Sequence, residues 1–136
     1  MQSDAKYNSW AAKNLSALRT VLVLHASSVF AQAIFAGQFL PGIDSPVVFH
    51  AWTAWFIIGV SVVQILLAIS FLRVGGPLAL VISSVFVFIA EGLQTGTGYG
   101  RFLGVHVPLG VFVFGAVIWQ MLWAFQKQIS TRDLAV

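Results

Sequence analysis

The sequence predicts an all-α fold, an integral membrane up-and-down four-helix bundle built from a duplicated two-helix repeat. Three observations predict it. The 136 residues are 59% apolar and 8% charged, with a mean hydropathy of +0.92, whereas soluble domains carry about 25% charged residues. Four uncharged runs are each long enough to cross a bilayer, which takes about 20 residues. One pattern also occurs twice, 56 residues apart: Ser27-Ser28-Val29-Phe30 returns as Ser83-Ser84-Val85-Phe86, and His50 with Gln64 fourteen residues on returns as His106 with Gln120.

The spans are expected at about 18–40, 46–72, 77–96 and 104–125, in one transmembrane domain, 1–136, with repeat units at about 22–68 and 78–124. Pro41-Gly42 ends the first. Ser45 followed by Pro46 suits a capping residue and a first-turn proline, so the second helix starts there. Gly75-Gly76-Pro77 breaks the chain between the second and third. The run from Thr95 to Gly100 is expected to be a short loop. Pro108 needs its missing N–H in a first turn, so the fourth helix is expected to start between Gly104 and Val107. The stretch from Tyr7 to Asn14 is a candidate to lie along the inner surface. Two copies of a pair that crosses twice keep one orientation, so their symmetry axis runs along the membrane normal.

Charge places the chain in the bilayer. Lys6, Lys13, Arg19, Arg73, Lys127 and Arg132 all fall on one side, and Arg101 on the other. The positive-inside rule then makes both termini cytoplasmic and turns the loops around Asp44 and Arg101 outward. Trp10, Trp52, Trp119 and Trp123 are expected at the interfaces as anchors. With no cysteine, thiolate metal sites and thiol nucleophiles are excluded. Scattered basic residues make no groove for nucleic acid. Gly96, Gly98 and Gly100 lack the preceding strand that a nucleotide loop needs.

The repeat puts His50 and His106 at matching depths near the outer surface, where they can face each other across the bundle. One imidazole on each side is what a porphyrin iron needs as axial ligands, so the pair is a candidate metal site for haem b. One turn on stand Ala54 and Gly110, small enough for a macrocycle to lie flat. Phe56 and Phe112 are candidate walls, and Arg101 is a candidate partner for a propionate or else a solvated loop charge. The competing reading of the histidines is an interfacial pair hydrogen-bonded to water or headgroups. Zinc suits them less, because its usual tetrahedral site needs further ligands.

His25 has no repeat counterpart, since Val81 stands there. It lies mid-span, about 20 Å from the end of its helix. There it must find a partner: Gln64 or Gln120, a second cofactor, or a proton or quinone site. Glu91 is the acidic residue within a span, and its counterpart is Phe35. It is a candidate to orient a ligating histidine, to bind a proton, or to snorkel into the outer loop. The other span glutamines, with Gly59 and Gly115, read as helix–helix contacts.

A four-helix unit with His50 and Ala54 on its second helix and His106 and Gly110 on its fourth resembles one half of haem A synthase. More loosely, it resembles the four-helix haem carriers of the cytochrome b type. The likeness covers about 18–125, as layout. It implies a haem-bearing bundle in the bacterial plasma membrane, an electron-transfer protein or haem-carrying subunit with a quinone or redox protein as partner. Haem A synthase joins two such units, and its catalytic glutamate is expected in the first helix of a unit, where Phe35 stands here; the oxidising chemistry is therefore not implied. The alternative is a cofactor-free four-helix transporter or assembly subunit. Beyond membrane lipids, the broad outer surface could also take a second copy in a homo-oligomer.

Overall fold

The computed structural model describes residues 2–39 and 45–126. The chain forms four helices: α1 (Gln2–Phe39), α2 (Ser45–Leu72), α3 (Leu78–Tyr99) and α4 (Leu103–Gln126). Each contains a stretch long and apolar enough to cross a membrane: Ser9–Gln38, Val48–Leu72, Leu78–Tyr99 and Leu103–Gln126. α1 packs on α2 and α4, and α3 packs on the same two, so the helices close a four-membered ring. Leu24, Phe30, Trp52, Phe86 and Trp119 project outward, as lipid-facing surfaces require. Pro41-Gly42, Asp44, Lys127 and Arg132 lie outside the described residues.

α1 starts about four turns earlier than its uncharged run does. Ala11, Leu15, Leu18 and Leu22 recur at helical spacing and bury against Ala68, Phe71, Val74, Leu80 and Ala124. Residues 7–14 therefore continue the helix and do not peel off along a surface. Asn14 closes the contact, donating to the Trp10 carbonyl at 2.9 Å and accepting from Ser70 Oγ at 2.5 Å. Arg19 ties α1 to the end of α4, donating from Nε to the Ala124 carbonyl at 3.0 Å with its guanidinium 5.3 Å from the centre of the Phe125 ring. Trp123, expected as an interfacial anchor, is half-buried against this end of the core. A second apolar layer, with Ala26, Val29, Ile57, Val87, Val113 and Val117, fills the other half.

The α2–α3 turn falls on Gly75-Gly76 as expected. Gly75 has φ +88°, and a Cβ on Gly76 would stand 2.8 Å from the Phe71 carbonyl oxygen. The α3–α4 reversal is tighter than expected. α3 runs on to Tyr99, so Thr95–Gly100 is mostly helix, and the chain turns through Arg101, whose φ is +57°. Phe102 N–H caps this end on the Thr97 carbonyl at 2.9 Å. α4 consequently begins at Leu103 and Pro108 falls in its second turn, with no N–H to offer the Gly104 carbonyl.

The packing of the two helix pairs does not show a clean repeat. α1 and α2 meet over a longer interface than α3 and α4. Gly59 and Gly115 are exposed with open space around them, so neither is the close helix contact that the duplication suggested. Of the duplicated serines, Ser28 bonds back within α1 to the Leu24 carbonyl, while Ser83 and Ser84 join helices.

Candidate functional site

Two polar layers cross the bundle. The first lies at the end that carries the α3–α4 turn. The structure brings the His50 and His106 rings together, with centroids 6.1 Å apart and planes at 68°. Each ring is anchored through Nδ1 to a backbone carbonyl on the preceding helix: His50 on Gln32 at 3.2 Å, His106 on Gln94 at 2.7 Å. A carbonyl oxygen only accepts, so Nδ1 carries the proton and Nε2 keeps the lone pair in both neutral rings. The anchors are not equivalent under the repeat, since Gln94 corresponds to Gln38 and not to Gln32. The tight α3–α4 turn pairs residues closer to its apex than the α1–α2 connection does.

Glycine makes room for this arrangement. A Cβ on Gly98 would stand 2.8–2.9 Å from the His106 ring, and one on Gly110 would stand 3.0 Å from Gln94 Nε2. Gln94 Nε2 in turn lies 3.4 Å from His106 Nε2. Gly98→Ala should therefore push His106 out of line. In the haem-free protein, the nuclear Overhauser contact between the two imidazoles should vanish in this variant and persist in Gly96→Ala, whose Cβ would meet nothing.

Other expected members of this site are placed as follows. Ala54 and Gly110 are half-buried. Arg101 stands on the exposed turn, five residues before His106. Phe56 and Phe112 face outward, about half exposed, and Phe112 packs edge-on against Phe86, so neither walls the histidine pair. Gln32 has a buried amide oxygen with no partner among the described residues. A buried acceptor left open calls for water or a ligand.

The second layer lies deeper and holds His25 and Glu91, both buried. His25 Nε2 meets Glu91 Oε1 at 2.5 Å and His25 Nδ1 meets Gln64 Oε1 at 2.7 Å. Ser61 Oγ donates to Glu91 Oε2. Gln64 Nε2 donates to Ser84 Oγ at 3.0 Å and to Gln120 Oε1 at 2.9 Å; Gln120 Nε2 donates to Ser83 Oγ at 2.9 Å. Every helix contributes. This layer corrects two expectations. Both His25 ring nitrogens are taken, so the ring has no free lone pair for a cofactor. Glu91 neither snorkels to the outer loop nor orients His50 or His106; it is paired with His25.

Ser61 is the member that sequence reasoning missed. Its repeat counterpart is Val117, so the duplication hides it. The only signal was its place one turn before Gln64, on the same face. Beyond Gln120 and Ser83 the network reaches a lateral groove of about 220 Å³ between α3 and α4, flanked by Trp119 and Trp123.

Among the described residues, no group of three or more His, Asp or Glu side chains could hold a metal ion by itself. The paired imidazoles offer two donors, too few for a tetrahedral zinc site. Comparison of the chain with protein-family models, with curated proteins and with solved structures finds no match.

Proposed function

We propose that this small multi-pass membrane protein binds haem b, which would be held between α2 and α4 by Nε2 of His50 and Nε2 of His106. The observation that carries this reading is the paired imidazoles, each locked through Nδ1 with its lone pair on Nε2. That is the tautomer a ligating histidine uses, and the carbonyl partner is the usual device for fixing it. The ring centroids stand 6.1 Å apart, so both imidazoles meet at one place in the bundle. A donor set of two suits an iron whose other four positions are filled by a porphyrin.

In this reading, Gln32 and Gln94 carbonyls orient the rings, Ala54 and Gly110 keep the adjoining helix faces low, and Arg101 pairs with a propionate. Gln94 must swing its amide away from His106 Nε2, which costs one weak hydrogen bond. When bound, haem supplies one-electron chemistry, so the function is electron transfer or a haem-carrying subunit with a redox protein or quinone as partner. The same Gln94 amide favours the second reading, a cofactor-free transporter or assembly subunit, because it satisfies His106 without a metal.

One spectrum separates the two. Protein purified from haem-replete membranes should be red, with a sharp Soret band and resolved alpha and beta bands on reduction with dithionite. A colourless preparation sinks the haem reading.

The bacterial plasma membrane, with both termini cytoplasmic, is the orientation that the basic residues favour. A single cysteine at Gly100, in the turn, should react in intact cells with a membrane-impermeant reagent, and one at Asp4 should not. Labelling of Asp4 alone would reverse the orientation and put the histidine pair near the cytoplasm.

A further inference from the structure

The inner polar layer ends on α4 with one donor left over. Gln64 Nε2 donates both of its hydrogens, to Ser84 Oγ at 3.0 Å and to Gln120 Oε1 at 2.9 Å. Because Gln120 Oε1 accepts from Gln64 on α2, the amide's NH₂ group is turned toward α3. There one N–H donates to Ser83 Oγ at 2.9 Å. The Ser83 hydroxyl proton is itself committed, to the Leu80 carbonyl at 3.1 Å. The second N–H of Gln120 has no acceptor among the described residues. Gln120 is 1% exposed, and a buried donor inside a membrane span calls for an acceptor.

Gln120 and Ser83 are the polar floor of the groove between α3 and α4, and the rest of its lining is apolar. Trp119 and Trp123, one turn apart on one face of α4, stand on one side, with Ala79 and Leu80 of α3 on the other. Ala79 and Trp119 are exposed on the outside of the bundle, so the mouth of the groove faces lipid. The groove holds about 220 Å³, below the range of about 300–1,000 Å³ typical of ligand pockets. That is room for one small ring system and not for a headgroup with two chains. Gln120 lies fourteen residues along α4 from His106, about 21 Å of helical rise, so the groove is separate from the histidine pair.

We infer that this groove is a lateral binding site, open to the bilayer, for a planar ring compound that carries a carbonyl group. Each part of that description answers a feature of the groove. The carbonyl oxygen accepts the second N–H of Gln120. A planar ring suits the two indoles, whose faces stack on flat partners. A mouth bordered by lipid admits a molecule that dissolves in the bilayer, uncharged and mostly apolar. An acyl chain meets the last condition alone and leaves the Gln120 donor unpaired. A quinone head combines all three properties. The site is independent of the haem reading, since no histidine takes part in it.

The experiment is a titration of the full chain in lipid nanodiscs with menadione, a small naphthoquinone, followed through the ¹⁵N-labelled indole and side-chain amide signals. The chain has no cysteine, so thiol addition cannot imitate binding. The signals of Trp119, Trp123 and Gln120 should shift and saturate, while those of Trp10, Trp52 and Trp55 stay in place. Methylnaphthalene has the same ring without the carbonyls. It should bind about tenfold more weakly, the loss expected for one hydrogen bond, and leave the Gln120 amide signal unmoved. Gln120→Leu should lower the affinity for menadione to that for methylnaphthalene. Ala79→Leu fills the mouth from the lipid side, leaves the polar network intact, and should abolish saturation; it decides the matter even if Gln120→Leu does not fold. Equal affinity of the wild type for the two ligands overturns the carbonyl recognition and makes the groove a seat for acyl chains. Signals that do not move, shifts spread over all five tryptophans, or saturation that survives in Ala79→Leu overturn the site. A colourless protein that binds menadione as described supports the site and sinks the haem reading alone.

Discussion

His50→Ala and His106→Ala should each abolish the low-spin spectrum of the haem-loaded protein. Each imidazole stands alone on its side of the proposed iron. No third His, Asp or Glu side chain gathers with them among the described residues, so nothing can replace a lost ligand. The expected product is a high-spin or haem-free protein, readable in the Soret band and by electron paramagnetic resonance. His25→Ala should leave the low-spin spectrum in place, because both of its nitrogens are engaged with Gln64 and Glu91. Mutation of groups that orient a ligand typically costs 10–100-fold in affinity, so Gly98→Ala, which crowds His106, should weaken haem binding without eliminating it. If His25→Ala alone produces high-spin haem, the ligand pair has been misassigned.

The largest loss of stability is expected from breaking the His25–Glu91 pair. Removing one partner of a buried ion pair costs about 3–5 kcal/mol. A neutral interhelical hydrogen bond in a membrane protein is worth far less, about 0.6 kcal/mol on average, since helices separated in the bilayer find other partners. The two figures give different forecasts for neighbouring positions. His25→Leu strips Oε1 of Glu91 of its partner in a buried site, and should fall in the upper range. Gln64→Leu leaves His25 Nδ1, Ser84 and Gln120 with one neutral bond fewer each, and should cost about 1–2 kcal/mol. His25→Leu with Glu91→Leu removes both polar groups and should recover much of the loss, as apolar replacement of buried pairs often does. Reversible unfolding in mixed micelles measures all three. A His25→Leu variant no less stable than Gln64→Leu would show that the pair behaves as two ordinary hydrogen-bonding groups.

How much of this was legible in the sequence differs by element. Composition and the four uncharged runs determined the all-α membrane bundle, because a backbone inside hydrocarbon must satisfy its own hydrogen bonds and helices do so locally. Gly75-Gly76-Pro77 determined the α2–α3 turn for a similarly local reason. The spacing of Ala11, Leu15, Leu18 and Leu22 was also present, yet their helix was legible only once the end of α2 stood opposite to bury it. The repeat pointed to His50 and His106 together, since both stand at the same position of their copies, 56 residues apart.

Partnership between helices was decided by the tertiary structure. Which carbonyl anchors each histidine depends on the tightness of two unlike connections, so Gln32 and Gln94 could not be read from the repeat. Gly98 reads as a loop residue in sequence and turns out to be the helical position against which His106 packs. His25, Glu91 and Ser61 lie on three different helices, and none has a polar counterpart in the other copy. Periodicity says which face a residue occupies on its own helix. It does not say at what depth a residue of another helix will meet it, and that depth, set by turn length and helix offset, is what joined the histidine, the carboxylate and the serine into one buried site.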